Sequence, residues 1–430
     1  MNYQQRLLKS IPGGAHTYSR GYDQYPANVP QILARGKGCY VYDADGREYL
    51  DYGMGLRAVN IGYAEESINR AAIRQIENGN NLTRPSLVEL EAAELLVELI
   101  DSADMVKFTK NGSTATTAAV KLARAYTGRE LIACCQDHPF FSYDDWFIGS
   151  TPVTRGIPRE TIEKTKTFLY NDLASLERLV QQYPRQIACV ILEPAVAEEP
   201  NADFLAGVQR LCRRNGIVFI LDEMITGFRW HLKGAQHTFG LDPDLSTFGK
   251  AMANGFSVAA IAGKRDIMEL GSIEKPGKER VFLLSTTHGA EMCGLGAFVE
   301  TVRFIREHEV IGHLWDYGKR LMQALKDAAA AAGVSEYFKV HGYPCSPVLL
   351  TLDQKGRPSP EFRTLFLYEM MERGILMPWV SICYRHTDRE LERTKTAARE
   401  SLAVYAKAIG AGVDGYLKGE VIKPVFRKFN

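Results

Sequence analysis

The chain has 430 residues, of which 46% are hydrophobic and 24% charged, so it can bury a large core and is not biased toward disorder. Its 52 Lys and Arg residues balance 51 Asp and Glu residues and are scattered along the chain, which argues against a nucleic acid or an anionic membrane as partner. The eight cysteines match neither a zinc site nor a small disulfide scaffold, and neither a signal peptide nor a membrane span is apparent. These features predict a cytoplasmic protein that acts on small molecules.

The first clear element in chain order is a hairpin, in which strand-forming runs at 39–42 and 47–51 flank an Asp- and Gly-containing turn. Two helical patterns follow, at about 65–78 and 86–99. Beyond them, short apolar runs alternate with helical segments; the runs lie at 105–108, 131–134, 187–192, 218–221, 245–248 and 259–262. Such alternation predicts βαβ units and a mostly parallel sheet with helices on both faces.

The organisation changes beyond about residue 301, where a long helical stretch precedes a strand-forming run at 348–352. We therefore expect an α/β protein with a large domain at 61–300 and a smaller α+β domain at 301–430. The N-terminal segment 1–60 is expected to pack with the small domain.

Chemistry is expected just after the apolar runs, because ligands of open α/β sheets bind outside the carboxyl ends of the strands. The first such place is Thr109–Ala115, where a strand gives way to a helix. Gly112 lets the backbone approach an anion, and the helix N-terminus offers free N–H groups and positive dipole for a phosphate. Taken alone, a Gly-Ser-Thr turn is more often an ordinary N-cap than a phosphate site.

Two carboxylates, Glu193 and Asp222, end buried runs, and a buried carboxylate needs a cation or strong donor as partner. A helix cap or an ion pair would satisfy Asp222 as well as a ligand would. Lys250 follows the run 245–248 among small and apolar residues, which favours burial and a lowered pKa, although most lysines are solvated surface charges. A fourth polar cluster, 285–288, has the composition of a loop.

The order and spacing of these sites resemble the class III aminotransferases of pyridoxal 5′-phosphate (PLP) fold type I, in particular glutamate-1-semialdehyde 2,1-aminomutase and its relatives. The resemblance covers nearly the whole chain, from Ile11–Gly14 through 42–46 and 122–129. It is strongest at Asp222–Arg229 and at Gly249–Lys250, two motifs that are highly specific together. The implied fold has a PLP-binding large domain and a smaller α+β domain.

The resemblance also implies roles for individual residues. Lys250 matches the lysine that carries the cofactor and moves the substrate proton, and Asp222 matches the partner of the pyridinium nitrogen. Met224 matches the apolar residue under the cofactor ring, and Phe140 matches the aromatic that stacks on it, with Phe141 as the alternative. Asn111, Gly112 and Ser113 match the phosphate cup. Ser285 and Thr286 match residues that reach the phosphate of the neighbouring subunit, so the resemblance implies a homodimer.

Departures from the aminomutase pattern concern the cofactor surroundings and the substrate pocket. Thr114 replaces an acidic residue, and Glu198 stands where the aminomutase has an asparagine near the cofactor. Arg20 matches a substrate-carboxylate arginine, whereas Arg57 lies where the aminomutase wall is uncharged. The stretch 377–387 is shorter than its counterpart and lacks a glutamate.

These departures favour an aminotransferase that passes an amino group from an amino-acid donor, such as glutamate, to an aldehyde or ketone. A keto sugar or an oxygenated cyclic ketone is the expected acceptor, in a biosynthetic pathway. The alternative is an intramolecular aminomutase with the same residues. A non-catalytic PLP-binding protein is disfavoured because Lys250, Asp222 and the phosphate cup are all intact.

Overall fold

The computed structural model describes residues 1–138, 140–195 and 198–429. The chain forms two compact units, one made of Met1–Glu65 with the chain from Gly312 onward, the other of Glu66–Ile311. Within the described ranges, no helix combines the length and apolar character that crossing a membrane requires. All eight cysteines are free thiols.

The strands of the described ranges are β1 (Leu33–Lys37), β2 (Tyr40–Asp43), β3 (Glu48–Asp51), β4 (Met105–Thr109), β5 (Leu131–Cys135), β6 (Thr165–Phe168), β7 (Ile187–Leu192), β8 (Val218–Asp222), β9 (Leu245–Phe248), β10 (Ala259–Gly263), β11 (Phe338–Tyr343), β12 (Ser346–Thr351) and β13 (Ile375–Leu376). The α-helices are α1 (Tyr3–Ser10), α2 (Met54–Arg57), α3 (Glu66–Glu77), α4 (Leu87–Leu99), α5 (Gly112–Thr127), α6 (Asp145–Ile148), α7 (Arg159–Glu163), α8 (Leu173–Gln182), α9 (Phe204–Asn215), α10 (Ala235–Thr238), α11 (Arg265–Met268), α12 (Met292–Glu307), α13 (Val310–Ala331), α14 (Pro360–Glu372) and α15 (Asp388–Ala411). Short 3₁₀ turns occur at Pro12–Gly14, Tyr18–Arg20, Tyr22–Gln24, Lys250–Ala253 and Glu269–Gly271.

The unit Glu66–Ile311 contains a seven-stranded sheet in the order β4-β10-β9-β8-β7-β5-β6. Among the described strands of this sheet, β10 runs opposite to the other six, so the prediction of a mostly parallel α/β sheet is confirmed. Every residue of β5, β7, β8, β9 and β10 is buried. Helix α5 packs on the central strands, and α8 and α9 contribute to a core cluster with residues of β5, β7 and β8. This burial explains the apolar runs of the sequence.

The other unit contains a sheet in the order β1-β2-β3-β13, in which β13 is parallel to β3 and the remaining pairs are antiparallel. The predicted hairpin is β2–β3, with Tyr40 opposite Leu50. Its turn places Gly46 at a φ of +83°, a conformation that favours glycine. The late strand-forming run lies in β12, which pairs with β11 as a second hairpin.

Candidate active site

Ionisable and polar side chains gather where the parallel strands of the seven-stranded sheet end. Because β4, β5, β7, β8 and β9 run in one direction, their carboxyl ends share one edge of the sheet. The residues that end or follow these strands include Asn111, His138, Glu193, Asp222 and Lys250. This edge of the sheet therefore brings together acidic residues, basic residues and a helix N-terminus of the kind that binds phosphate, from segments far apart in sequence.

Asp222 is the last residue of β8 and is only 2% exposed. Its Oδ1 accepts hydrogen bonds from the Met224 N–H at 2.9 Å and the Thr247 hydroxyl at 3.1 Å. Burial raises the pKa of Asp222 to about 6, and the charge of Lys250 opposes that rise. Both hydrogen bonds are accepted by Oδ1, and a carboxylate has about four lone-pair sites, so acceptor capacity remains for a cationic ligand.

Lys250 follows β9 and opens the 3₁₀ turn Lys250–Ala253 with a φ of 41°. A residue with a side chain rarely adopts this left-handed conformation, and such strain concentrates at functional sites. The side chain is partly buried, and the residues after it are fully buried. Lys250 thus lies at the same edge as Asp222, and its charge acts on that carboxylate.

Met224 forms the apolar floor of this edge. It is 5% exposed and clusters with Ala115 and Ala259. A Cβ added to Gly112 or to Gly249 would lie 2.7 Å from the Met224 sulfur, so a larger residue at either position would displace the Met224 side chain. The start of α5 and the residue that follows β9 therefore both lie against the thioether of Met224.

The start of α5, which lies next to that floor, has the features of an anion site. The Asn111 side chain caps the helix by accepting from the Thr114 N–H at 2.9 Å, so the N-cap expected from sequence is present. Ser113 is buried, and its hydroxyl accepts from the Tyr143 N–H at 3.1 Å. Helix α5 has 16 residues, long enough for its first-turn amides to carry the full positive end of the dipole.

The two candidate stacking aromatics have different surroundings. Phe140 is 45% exposed and meets Phe147 edge-on, whereas Phe141 is 2% exposed and packs against Phe147 and His138 inside the unit. Only an accessible ring can stack on a ligand, so these surroundings favour Phe140 over Phe141. The preceding residue, Pro139, lies outside the described residues.

His138 is a site residue to which the sequence assigned no role. It is 4% exposed, and its Nδ1 accepts from the Glu193 N–H at 2.9 Å, which joins the ends of β5 and β7. Burial lowers the pKa of His138 to about 3, so the ring is neutral at physiological pH. Its place three residues after the buried strand β5 was the available signal.

Glu223, beside Asp222, is buried for a structural reason. Its carboxylate accepts from the Thr226 hydroxyl and from the backbone N–H groups of Ala235 at 2.9 Å and Gln236 at 2.8 Å. Burial raises its pKa, and these donors oppose the rise. Glu223 is saturated by the protein, whereas Asp222 is not.

The remaining predicted residues lie on exposed or separate segments. Glu198, Ser285 and Thr286 are exposed. Arg20, exposed at the end of the turn Tyr18–Arg20, and Arg57, with a φ of 69° in α2, belong to the other compact unit. The turn at α2 is held by Asp51, which accepts hydrogen bonds from the Gly53 and Met54 N–H groups and from the Tyr63 hydroxyl. No sequence motif predicted this arrangement.

The edge has the chemistry for a planar aromatic cofactor that carries a cationic ring nitrogen and a phosphate. Asp222 offers a buried carboxylate, Met224 an apolar floor, Lys250 an amine and α5 an anion site. Among the described residues, no group of acidic, His or Cys side chains is arranged to hold a metal ion.

Comparison with known proteins agrees with this chemistry. The family model "Aminotransferase class-III" matches residues 22–376. The chain is 33% identical over 95% of its length to a 3-aminobutyryl-CoA aminotransferase of Cloacimonas acidaminovorans, 98% of which is covered. It is 28% identical over 91% of its length to a glutamate-1-semialdehyde 2,1-aminomutase of Francisella philomiragia, covered to 94%.

A solved structure has the same fold. It is the PLP internal aldimine form of the FumI protein of Sphingopyxis sp. MTA144, with a TM-score of 0.87 and 25% identity. The match covers 96% of this chain and 98% of that protein. The expected fold type I architecture is therefore confirmed.

Proposed function

The chain belongs to the class III aminotransferases and is a PLP-dependent enzyme, and we propose that it transfers an amino group from glutamate to an oxygenated ketone or aldehyde. A keto sugar or an oxygenated cyclic ketone is the proposed acceptor class. The proposal of amino transfer through PLP is supported chiefly by Asp222, a buried carboxylate on which the charge of Lys250 acts. The proposed donor and acceptor classes are inferred from Arg20, Arg57 and Glu198.

PLP supplies an electron sink that makes the Cα proton of a bound amino acid removable. We assign Lys250 to hold the cofactor and to move that proton between the substrate Cα and the cofactor C4′ atom. Asp222 is assigned to keep the pyridine nitrogen protonated, since a buried carboxylate is stabilised by an adjacent cation. Their position at the same edge of the sheet supports both assignments.

The phosphate is assigned to Asn111, Gly112 and Ser113, because these residues start α5 and carry its dipole. Met224 would pack under the ring, and Phe140, which is accessible, would stack on it. Glu198, exposed after β7, is proposed to face the cofactor surroundings as an added carboxylate.

Ser285 and Thr286 are proposed to reach the phosphate bound by a second copy of the chain, so that the active enzyme is a homodimer with shared sites. Their exposure in a single chain supports this assignment. Mixing Lys250→Ala subunits with Thr286→Ala subunits should restore activity, because one site of each hybrid dimer then contains only intact residues. Failure despite demonstrated subunit exchange would contradict shared sites.

Arg20 and Arg57 are proposed as substrate-binding residues. A guanidinium binds carboxylates and polyols through several donors in a fixed plane, which suits a carboxylate donor and an oxygen-rich acceptor. The similarity to an aminomutase and the presence of Arg20 keep intramolecular amino transfer as the second candidate. In that case the enzyme would retain one substrate through the whole cycle.

The deciding experiment separates the two halves of the reaction. Purified holoenzyme is incubated with glutamate alone, and the formation of pyridoxamine phosphate and 2-oxoglutarate is followed by absorbance and chromatography. We expect both products in an amount equal to the enzyme sites. Conversion of glutamate-1-semialdehyde to 5-aminolevulinate, without a half-reaction from any amino donor, would instead establish the mutase.

A further inference from the structure

One ion pair ties the start of α12 to the start of α5. The Lys110 Nζ lies 2.7 Å from the Glu291 Oε2, and only about a quarter of each side chain is exposed, 26% and 27% respectively. Lys110 immediately precedes Asn111 of the phosphate cup, and Glu291 is the N-cap residue of α12. The pair therefore joins the cup to the segment that follows Ser285 and Thr286.

Asn80 completes the connection on the other side of Glu291. Its side-chain amide donates to the Glu291 Oε1 at 3.0 Å, and its Oδ1 accepts from the Cys293 N–H at 2.9 Å. Its backbone carbonyl accepts from the Met292 N–H at 2.8 Å. Thus both oxygens of Glu291 are engaged, and the first amides of α12 are satisfied by a residue from another loop.

The loop before α12 packs closely on the same structure. A Cβ on Gly289 would lie 2.8 Å from the Thr286 hydroxyl and 3.5 Å from the Phe108 carbonyl at the end of β4. The Ser257 hydroxyl donates to the Lys110 carbonyl at 2.6 Å, which fixes the backbone beside the cup. Displacement of Glu291 would therefore be transmitted both to Thr286 and to Lys110.

We propose that Lys110 and Glu291 are positioning residues that couple the phosphate cup of one subunit to the loop serving the phosphate of the other. This inference rests on the proposed function, in particular on the shared phosphate sites. The ion pair holds two segments in register and keeps the lysine directed at a carboxylate. The hydrogen bond from Lys110 holds the pKa of Glu291 below its usual value, so Glu291 is charged at neutral pH.

PLP titration of the apoenzyme, followed by absorbance, tests the proposal with Lys110→Met and Glu291→Gln. Each variant should bind PLP about tenfold more weakly or worse, since a charge-assisted hydrogen bond that positions the site is lost. Lys110→Arg keeps the charge and should retain most of the affinity. Glu98→Gln is the matched control, because the exposed Glu98–Arg306 pair also involves α12 but lies away from the cup.

A double-mutant cycle with Thr286→Ala tests the coupling itself. If Glu291 acts through the loop, Glu291→Gln should weaken PLP binding much less in the Thr286→Ala background than in the wild type. Additive losses, or PLP affinities of the single variants within about twofold of the wild type, would overturn the inference. If the wild type itself fails to bind PLP, the proposed function is wrong instead.

Discussion

The two edges of the seven-stranded sheet differ in whether their ionisable side chains are buried or exposed to solvent. At the carboxyl edge, Asp222 and His138 are buried and have strongly shifted pKa values. At the amino edge, a cavity of about 550 Å³ is lined by residues that include Arg129, Arg185 and Arg214. Arg185 and Arg214 are solvated, and Arg129 donates to two backbone carbonyls, at 3.1 and 3.0 Å.

We therefore place the proposed active site at the carboxyl edge, where Asp222 is buried, and not at the open cavity of the amino edge. A solvated arginine costs the fold little, but a buried carboxylate is expensive unless a ligand or a donor meets it. Such a cost is maintained where the group has a task. The contrast between the edges can be tested by removing charge from each.

The largest effect is expected from Asp222→Asn, which keeps the side-chain volume and removes the charge proposed to face the pyridine nitrogen. Loss of one member of a buried pair costs roughly 3–5 kcal/mol, so turnover should fall by about 10²- to 10³-fold or more. Steady-state kinetics of the half-reaction with glutamate measures the change. Turnover near the wild-type value would refute the role of Asp222.

Glu223→Gln is the matched control at the neighbouring position. An amide cannot accept all the hydrogen bonds that Thr226, Ala235 and Gln236 donate to Glu223, so stability should fall by about 1–3 kcal/mol. Turnover per folded enzyme should stay close to the wild-type value, and urea unfolding measures the stability. A loss of turnover as large as that of Asp222→Asn would show that the two carboxylates act together.

His138→Gln tests the neutral base of the carboxyl edge through pH. The pKa of His138 is about 3 in the folded enzyme, below the unfolded value near 6.5, so unfolding takes up a proton between these limits. This contribution to stability is complete above pH 6.5 and is lost as the pH falls. At pH 5 the wild type should have lost about 2 kcal/mol that the variant retains.

The measurement compares urea unfolding of the wild type and His138→Gln at pH 7 and pH 5. Glutamine can still accept from the Glu193 N–H, so the strand ends remain joined. Equal pH dependence in both proteins would mean that His138 is not held neutral by burial.

The smallest effect is expected at the amino edge. Arg214→Ala removes an exposed cation from the cavity, and surface changes of this kind usually alter stability by less than about 0.5 kcal/mol. The kinetics of the glutamate half-reaction should be unchanged. A large kinetic loss would show that buried charge alone does not locate function in this sheet.

The sequence predicts the buried strands well, because complete burial produces continuous apolar runs. The predicted runs 187–192 and 245–248 coincide with β7 and β9. The edge strand β6 was missed because its sequence, Thr165–Phe168, is mostly polar, and β13 was missed because it has only two residues. The direction of β10 was not predicted either, since β10 has the apolar composition of a parallel strand but runs antiparallel to its neighbours.

For the site, sequence motifs predict which residues end the strands but not how their atoms are engaged. Asp222 and Glu223 are adjacent acids, and only the donors from Thr226, Ala235 and Gln236 distinguish them. The Lys110–Glu291 pair joins positions 181 residues apart and has no local pattern. Such contacts arise from tertiary packing, which single-sequence periodicity does not encode.

The most direct test of the proposed function is to identify the lysine that carries PLP. Holoenzyme is reduced with borohydride, digested and mapped by mass spectrometry for a pyridoxyl-modified peptide. We predict a single label on Lys250, while Lys250→Ala should take up no label but still bind some PLP through the phosphate cup. A label on any other lysine, including Lys110 at the same edge, would contradict the assignment of Lys250 as the residue that carries PLP.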